Sequence, residues 1–132
     1  MTVFDKNVAA TASIILAITI GIGAFGAHSL KEVLNSSSLI TFEVGVRYQM
    51  YHGLAILFLG LVPLIPQQLK KKIFWLFITG IIFFSGSIYL LSMNEILSFD
   101  TSVIGFITPI GGLLFMVGWI LLAFGILTLK KR

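Results

Sequence analysis

Residues 101–129 read TSVIGFITPIGGLLFMVGWILLAFGILTL, twenty-nine consecutive positions without a charged side chain. About 20 helical residues cross the hydrocarbon core of a bilayer, so this run is long enough to span one. Three more charge-free runs precede it, at 8–27, 48–69 and 73–94. Across the 132 residues, 58% are apolar and 11% charged, whereas soluble domains carry about 25% charged residues. Nine Lys or Arg and five Asp or Glu are too few to give a core of this size a polar skin. A soluble enzyme, a DNA-binding domain and a disordered tail are therefore excluded. The expected fold is all-α: one integral membrane four-helix bundle over 1–132, with spans at about 7–27, 48–65, 73–93 and 103–129.

Cysteine is absent, which removes disulfides, thiolate nucleophiles and iron–sulfur sites. The net charge of +4 is distributed as in a membrane protein. With four spans, Lys6, Lys70, Lys71, Lys72, Lys130, Lys131 and Arg132 fall on one side, and Lys31 and Arg47 on the other. That bias predicts cytoplasmic N- and C-termini. The basic runs would then meet the anionic inner leaflet, not nucleic acid. The first run is longer than a signal-peptide core and its N-terminal flank pairs Asp5 with Lys6, so it reads as an uncleaved helix.

Within the first run Ala9, Ser13, Ala17 and Gly21 lie four apart, a face on which another helix can approach closely. Residues 28–47 form the longest connection, with a short interfacial helix at 28–34 and a break at Asn35-Ser36-Ser37-Ser38. Positions 39–46 alternate apolar and polar. A lone strand beside lipid would leave its backbone unpaired, so a helix from Leu39, capped by Ser38, is preferred. On that helix Gln49, His52, Gly53, Ile56 and Gly60 share a face that should turn into the bundle. Pro63 and Pro66 end it. Trp75 marks the inner interface of the third helix. Asp100 or Ser102 can cap the fourth, in which Gly111, Gly118 and Gly125 recur every seven residues, a spacing suited to a left-handed crossing near 20°. The helix-packing positions are thus Ala17, Gly21, Gly53, Gly60, Gly111, Gly118 and Gly125.

Four phrases concentrate the small and polar residues: GAFGAH at 23–28, YQMYHG at 48–53, FFSGS at 83–87 and TPIGG at 108–112. In order and spacing they resemble the signatures of the YgdD/YwdK-like family of small bacterial multi-pass membrane proteins. That resemblance implies a four-span plasma-membrane protein without an established biochemical activity, and it transfers no catalytic residue.

All four phrases fall in one half of the expected bundle. Polar groups in lipid are costly unless paired or wet. Gln49, His52, Ser85, Ser87 and Thr108 should therefore turn inward and meet, with His28, Glu43 and Arg47 around the entrance. Together His28, Arg47, Gln49, His52, Ser85, Ser87 and Thr108 form the candidate ligand cluster. The alternative is that these groups only bridge helices, at about 0.6 kcal/mol each. No metal or cofactor is expected: the two histidines stand 24 apart without HxxxH or HxxE spacing, against a first shell of three or four ligands. The GxGxxG match at 21–26 closes a membrane helix and follows no strand, so it is accidental. The favoured function is a non-enzymatic bundle that binds lipid or a partner, as a homo-oligomer or with another membrane protein. Competing readings are a small transporter or channel component working as an oligomer, and an outer-leaflet enzyme using His28 and His52.

Overall fold

A computed structural model describes residues 1–129; the basic stop Lys130-Lys131-Arg132 lies outside the described residues. Four long helices account for most of the chain, and no strand occurs among the described residues. The first, α1, is Val3–His28. Thr2 opens it with a reciprocal cap: the Thr2 hydroxyl accepts from the Asp5 amide at 3.0 Å, and the Asp5 carboxylate accepts from the Thr2 amide at 3.0 Å. Such a box satisfies two donors that the first helical turn leaves free.

The second helix, α2, is Ser36–Leu61 and starts earlier than Leu39. Its cap is Asn35, not Ser38: the Asn35 side-chain oxygen accepts from the Ser38 amide at 2.8 Å. The three serines therefore form the first turn. Between α1 and α2 only Leu30–Glu32 is helical, as one 3-10 turn. Leu30 and Leu34 are buried with Phe42, so this connection caps the bundle and does not lie flat on lipid.

The third helix, α3, is Gln67–Ser92. It begins directly after Pro66, which places Lys70, Lys71 and Lys72 on the helix and not in a loop. Its Ile81–Ser85 segment is a π-helical turn. After a 3-10 turn at Thr101–Ile104, the fourth helix, α4, is Ile107–Leu127, later than the expected start near 103. Asp100 caps the 3-10 turn, its carboxylate accepting from the Ser102 amide at 3.0 Å. Pro109 sits in the first turn of α4, where a missing N–H leaves no bond unmade.

Helices α1, α3 and α4 are each long and apolar enough to cross a membrane. Helix α2 is as long as α1 but carries Glu43, Arg47, Gln49 and His52, which lower its hydropathy. Neighbours follow chain order: α1 packs on α2, α2 on α3, and α3 on α4. One core joins all four through Val8 and Ala12, Ile56 and Leu59, Ile73 and Phe77, and Phe115 and Leu122. One end of the bundle, the terminus end, holds the start of α1, the 62–66 turn and the end of α4, since Asp5 meets Lys70 and Gly125 meets Leu69. The other, the loop end, holds residues 28–35 and 93–106, where Glu95 accepts hydrogen bonds from Asn35 and from the Ser38 hydroxyl.

The seams between helices set the register. A Cβ at Gly60 would lie 2.7 Å from the backbone nitrogen of Ala9, and one at Gly53 would lie 2.8 Å from the Leu16 side chain. On the other pair, Gly80 faces the Phe115 ring, Gly118 the Phe77 ring and Gly111 the backbone of Phe84. The α1 side of the first seam differs from the expected face. Ala17 is exposed, and a Cβ at Gly21 would have no neighbour within 4 Å. Val8 apart, the buried positions are Asp5, Ala12, Thr19 and Gly26. They recur every seven residues, the spacing that keeps a stripe against a left-handed partner, whereas a strict four-residue step drifts around the helix.

Candidate functional site

Helix α2 presents Phe42, Gly45, Gln49, His52, Gly53, Ile56, Leu59 and Gly60 to the interior. Advancing by three and four residues keeps these on one face. The polar members are not left wet.

His52 is 4% exposed. Its Nδ1 lies 2.8 Å from the Tyr48 carbonyl oxygen, which can only accept, so Nδ1 carries the proton. The Trp119 indole N–H donates to His52 Nε2 at 3.0 Å. Both ring nitrogens are thereby used, in the one neutral tautomer these partners allow. The ring stacks on Phe115 with centroids 3.5 Å apart and meets the edge of Phe77 at 5.1 Å.

The other polar side chains pair separately. Ser85, at the end of the π-helical turn, donates to the Gly45 carbonyl at 2.7 Å. Tyr89 donates its phenol to Gln49 Oε1 at 2.7 Å. Ser87 and Thr108 share a hydrogen bond between α3 and α4. Among the described residues no buried side-chain nitrogen or oxygen lacks a partner. The candidate cluster is therefore not one chamber. Gln49, His52 and Ser85 are buried on three separate bonds, Ser87 and Thr108 form a fourth, and His28 and Arg47 are exposed. The expected meeting of His52 with Gln49, Ser85, Ser87 and Thr108 does not occur. The reason is geometric: each side chain reaches the helix directly opposite its own turn.

Tyr89 and Trp119 are partners that the sequence reading missed. A buried phenol or indole N–H requires an acceptor, but which acceptor it meets depends on helix rotation, which the sequence pattern does not give.

The terminus end holds a second polar group that the sequence did not announce. Lys70 is 1% exposed, and its ammonium lies 2.6 Å from Asp5 Oδ1. Gln67 donates to both Asp5 oxygens at 3.0 Å. Asp5 stands outside the charge-free run, at the membrane edge. The Lys70 ammonium, with Gln67 and the Thr2 amide, holds its carboxyl well below the ordinary carboxylate range. Lys71 stands 5.5 Å over the Phe4 ring. At the loop end the Ser102 amide and hydroxyl hold Asp100 below its ordinary value.

Recesses open on the bundle surface. One, of about 270 Å³, lies between α1 and α2 and is lined by Gly23, Gly26, Ala27, Phe42, Glu43 and Arg47, among others. The second, of about 600 Å³, lies between α3 and α4 beside Gly86 and is lined almost wholly by apolar side chains such as Phe83, Ile104 and Ile107. Both adjoin the quoted phrases.

Residues 22–112 match the model of a family described as a protein of unknown function, DUF423. The chain is 44% identical over 108 residues to a UPF0382 membrane protein of Staphylococcus saprophyticus, covering 82% of this chain and 86% of that one. It is 39% identical to a UPF0382 membrane protein of Haemophilus influenzae, covering 80% and 82%. It is 37% identical to the UPF0382 membrane protein YwdK of Bacillus subtilis, covering 80% and 83%. No solved structure matches.

Proposed function

The chain belongs to the DUF423 family of membrane proteins of unknown function, and on that premise we propose that it acts without catalysis, binding lipid or a partner in a bacterial plasma membrane. The observation that carries this reading is the complete pairing of the interior. Catalysis needs a base, nucleophile or electrostatic donor aimed at a space where a reacting atom can sit. Here His52 uses both nitrogens within the bundle, and the hydroxyls of Ser85, Ser87 and Tyr89 are likewise committed. What remains open lies on the flanks, as recesses facing the surrounding membrane.

Helix α2 serves as the fourth span in this reading. Support comes from its antiparallel run beside α1, with Gly60 at Ala9, Gly53 at Leu16 and Phe42 at Gly26, which gives both helices the same depth. The Lys and Arg bias favours termini on the cytoplasmic side. Cysteine at exposed Ser37 and Ser98 should then label from outside intact cells, and cysteine at exposed Gln68 should not. Outside labelling at Gln68 reverses the orientation. For binding itself, the chain extracted in mild detergent and examined by native mass spectrometry should carry retained phospholipid or a second polypeptide. A bare monomer under conditions that keep the fold intact overturns the reading.

A further inference from the structure

We propose that the recess between α1 and α2 at the loop end binds a phospholipid whose headgroup carries both a phosphate and a primary ammonium. The inference rests on the lipid-binding reading above and gives it a site and a ligand class.

The recess exists because α1 supplies Gly23 and Ala27 where larger side chains would fill the space. Val46 is the only wall near Gly23, at 3.4 Å from where a Cβ would stand. The floor is apolar, made by Gly26, Leu39, Phe42 and Val46, and the charged lining residues are Glu43 and Arg47. Those two charges lie 3.5 Å apart and each side chain is 62% exposed. Among the described residues neither has another ion-pair partner. One cation and one anion thus stand at fixed spacing on the rim of an apolar trough. A guanidinium matches phosphate geometry better than any other side chain, and a carboxylate accepts from a primary ammonium.

Depth agrees with this occupant. Side chains on a helix lean toward its N-terminus, and the N-terminus of α2 is at the loop end. Arg47 reaches that way, to Glu43 one turn nearer the helix start. From a backbone near the hydrocarbon edge, its charge rises to headgroup level. Toward the midplane the same flank exposes Ile20 and Tyr51, an apolar exit for the acyl chains. The larger recess beside Gly86 lacks any charged lining residue, so it offers nothing to a headgroup.

The test is competitive lipid retention by the full chain. The protein in detergent is mixed with equal amounts of phosphatidylethanolamine, phosphatidylcholine and phosphatidylglycerol, and bound lipid is counted by native mass spectrometry. Phosphatidylethanolamine should be retained most. Phosphatidylcholine lacks ammonium hydrogens, and phosphatidylglycerol lacks the cation and meets Glu43. Arg47→Gln and Glu43→Gln should each lower phosphatidylethanolamine retention on the order of tenfold, as expected for a charged hydrogen bond. Ala27→Leu, at an exposed position, should fill the trough and do the same while circular dichroism melting stays unchanged. Equal retention of the three lipids overturns the proposal, and so does a preference that survives all three substitutions; in either case the lipid-binding reading still stands. Retention of no lipid by the unmodified chain removes both.

Discussion

The α1–α2 and α3–α4 pairs are both antiparallel hairpins, yet they close by different means. In the first, glycines of α2 meet backbone and an aliphatic side chain, Gly60 against Ala9 and Gly53 against Leu16, and one ring, Phe42, enters at Gly26 near the loop end. In the second, rings enter glycine sockets from both sides. The Phe77 ring of α3 presses on Gly118 of α4 and the Phe115 ring of α4 on Gly80 of α3, while Gly111 lies against the backbone of Phe84. Helix α3, packed between α2 and α4, is the most buried of the three apolar windows, at 44%, against 22% for α4 and 17% for α1. In lipid there is little hydrophobic drive between helices, so close packing decides association. A socketed pair holds itself; a small-residue pair leaves one flank of α1 to the membrane.

The comparison is broken most severely at Gly111. A Cβ there meets the backbone of Phe84, which cannot swing aside. Gly111→Leu should cost about 3 kcal/mol or more, the upper range for overpacking, and leave little folded protein after detergent extraction. Gly125→Leu is the control in the same stripe, since its neighbour is the end of the flexible Leu69 side chain. A milder loss is expected there. Equal losses at the two positions would mean that contact with backbone is not what matters.

Next in size is the link that ties the first hairpin to the second at the terminus end. Lys70→Met removes the ammonium beside Asp5, and leaving one buried charge unpartnered costs more than removing both. The melting temperature should fall, and Asp5→Asn together with Lys70→Met should recover most of it. A double variant no better than the single would deny the pairing. The pH dependence carries a sign. A carboxyl held low in the folded chain contributes its full stability above the ordinary value of 3.8, and loses it as pH falls toward the depressed folded value. Acid melting should therefore be less steep in Asp5→Asn than in the parent.

These two sites also divide what the sequence could disclose. The charge-free runs located the four helices, because run length tracks membrane thickness, but not their ends, since α2 begins at Ser36 and α3 at Gln67. The buried face of α2 was legible because a polar residue within such a run must turn away from lipid. Partner identity was not legible. That Ser85 meets the Gly45 carbonyl while Ser87 meets Thr108 depends on helix rotation, which the π-helical turn at Ile81–Ser85 alters. Asp5 and Lys70 stood 65 positions apart at the edges of apolar runs, where charges ordinarily face water. The face of α1 was misplaced by one step, because Ala9, Ser13, Ala17 and Gly21 and the buried Ala12, Thr19 and Gly26 offer equally small side chains. The phenylalanine heptad of α3 opposite the glycine heptad of α4 was the one pairing signal left unused.

A smaller effect belongs to His52, which joins α2 to the ring-packed hairpin. His52→Gln replaces an imidazole that stacks on Phe115 and accepts from Trp119. Interhelical hydrogen bonds in membranes average about 0.6 kcal/mol, and lost stacking adds about 0.5–1.5 kcal/mol. Thermal melting in detergent should register a loss of about 1–2 kcal/mol with the helical spectrum kept. Trp119→Phe removes the donor but keeps an aromatic ring beside His52 and Phe77, and should cost less than His52→Gln. The reverse order would place the weight on the indole and not on the histidine.

The smallest effect tests the free flank of the first hairpin. Gly21 has open space where a Cβ would stand, and its neighbours Ala17 and Ile18 are exposed. Within a single bundle, Gly21→Leu adds a side chain that lipid solvates as readily as it does leucine elsewhere. Helix propensity favours leucine over glycine by nearly about 1 kcal/mol, so stability should be unchanged or slightly raised. The same substitution also reports on a second copy of the chain. Ser13, Ala17 and Gly21 lie four apart and all are exposed. If copies associate along this stripe, a leucine in its centre forces their backbones apart. Cross-linking in native membranes then separates the two cases: an unchanged monomer-to-dimer ratio in Gly21→Leu means the stripe faces lipid. A dimer present in the parent and lost in the variant would mean that α1 has a socketed partner after all, supplied by another copy.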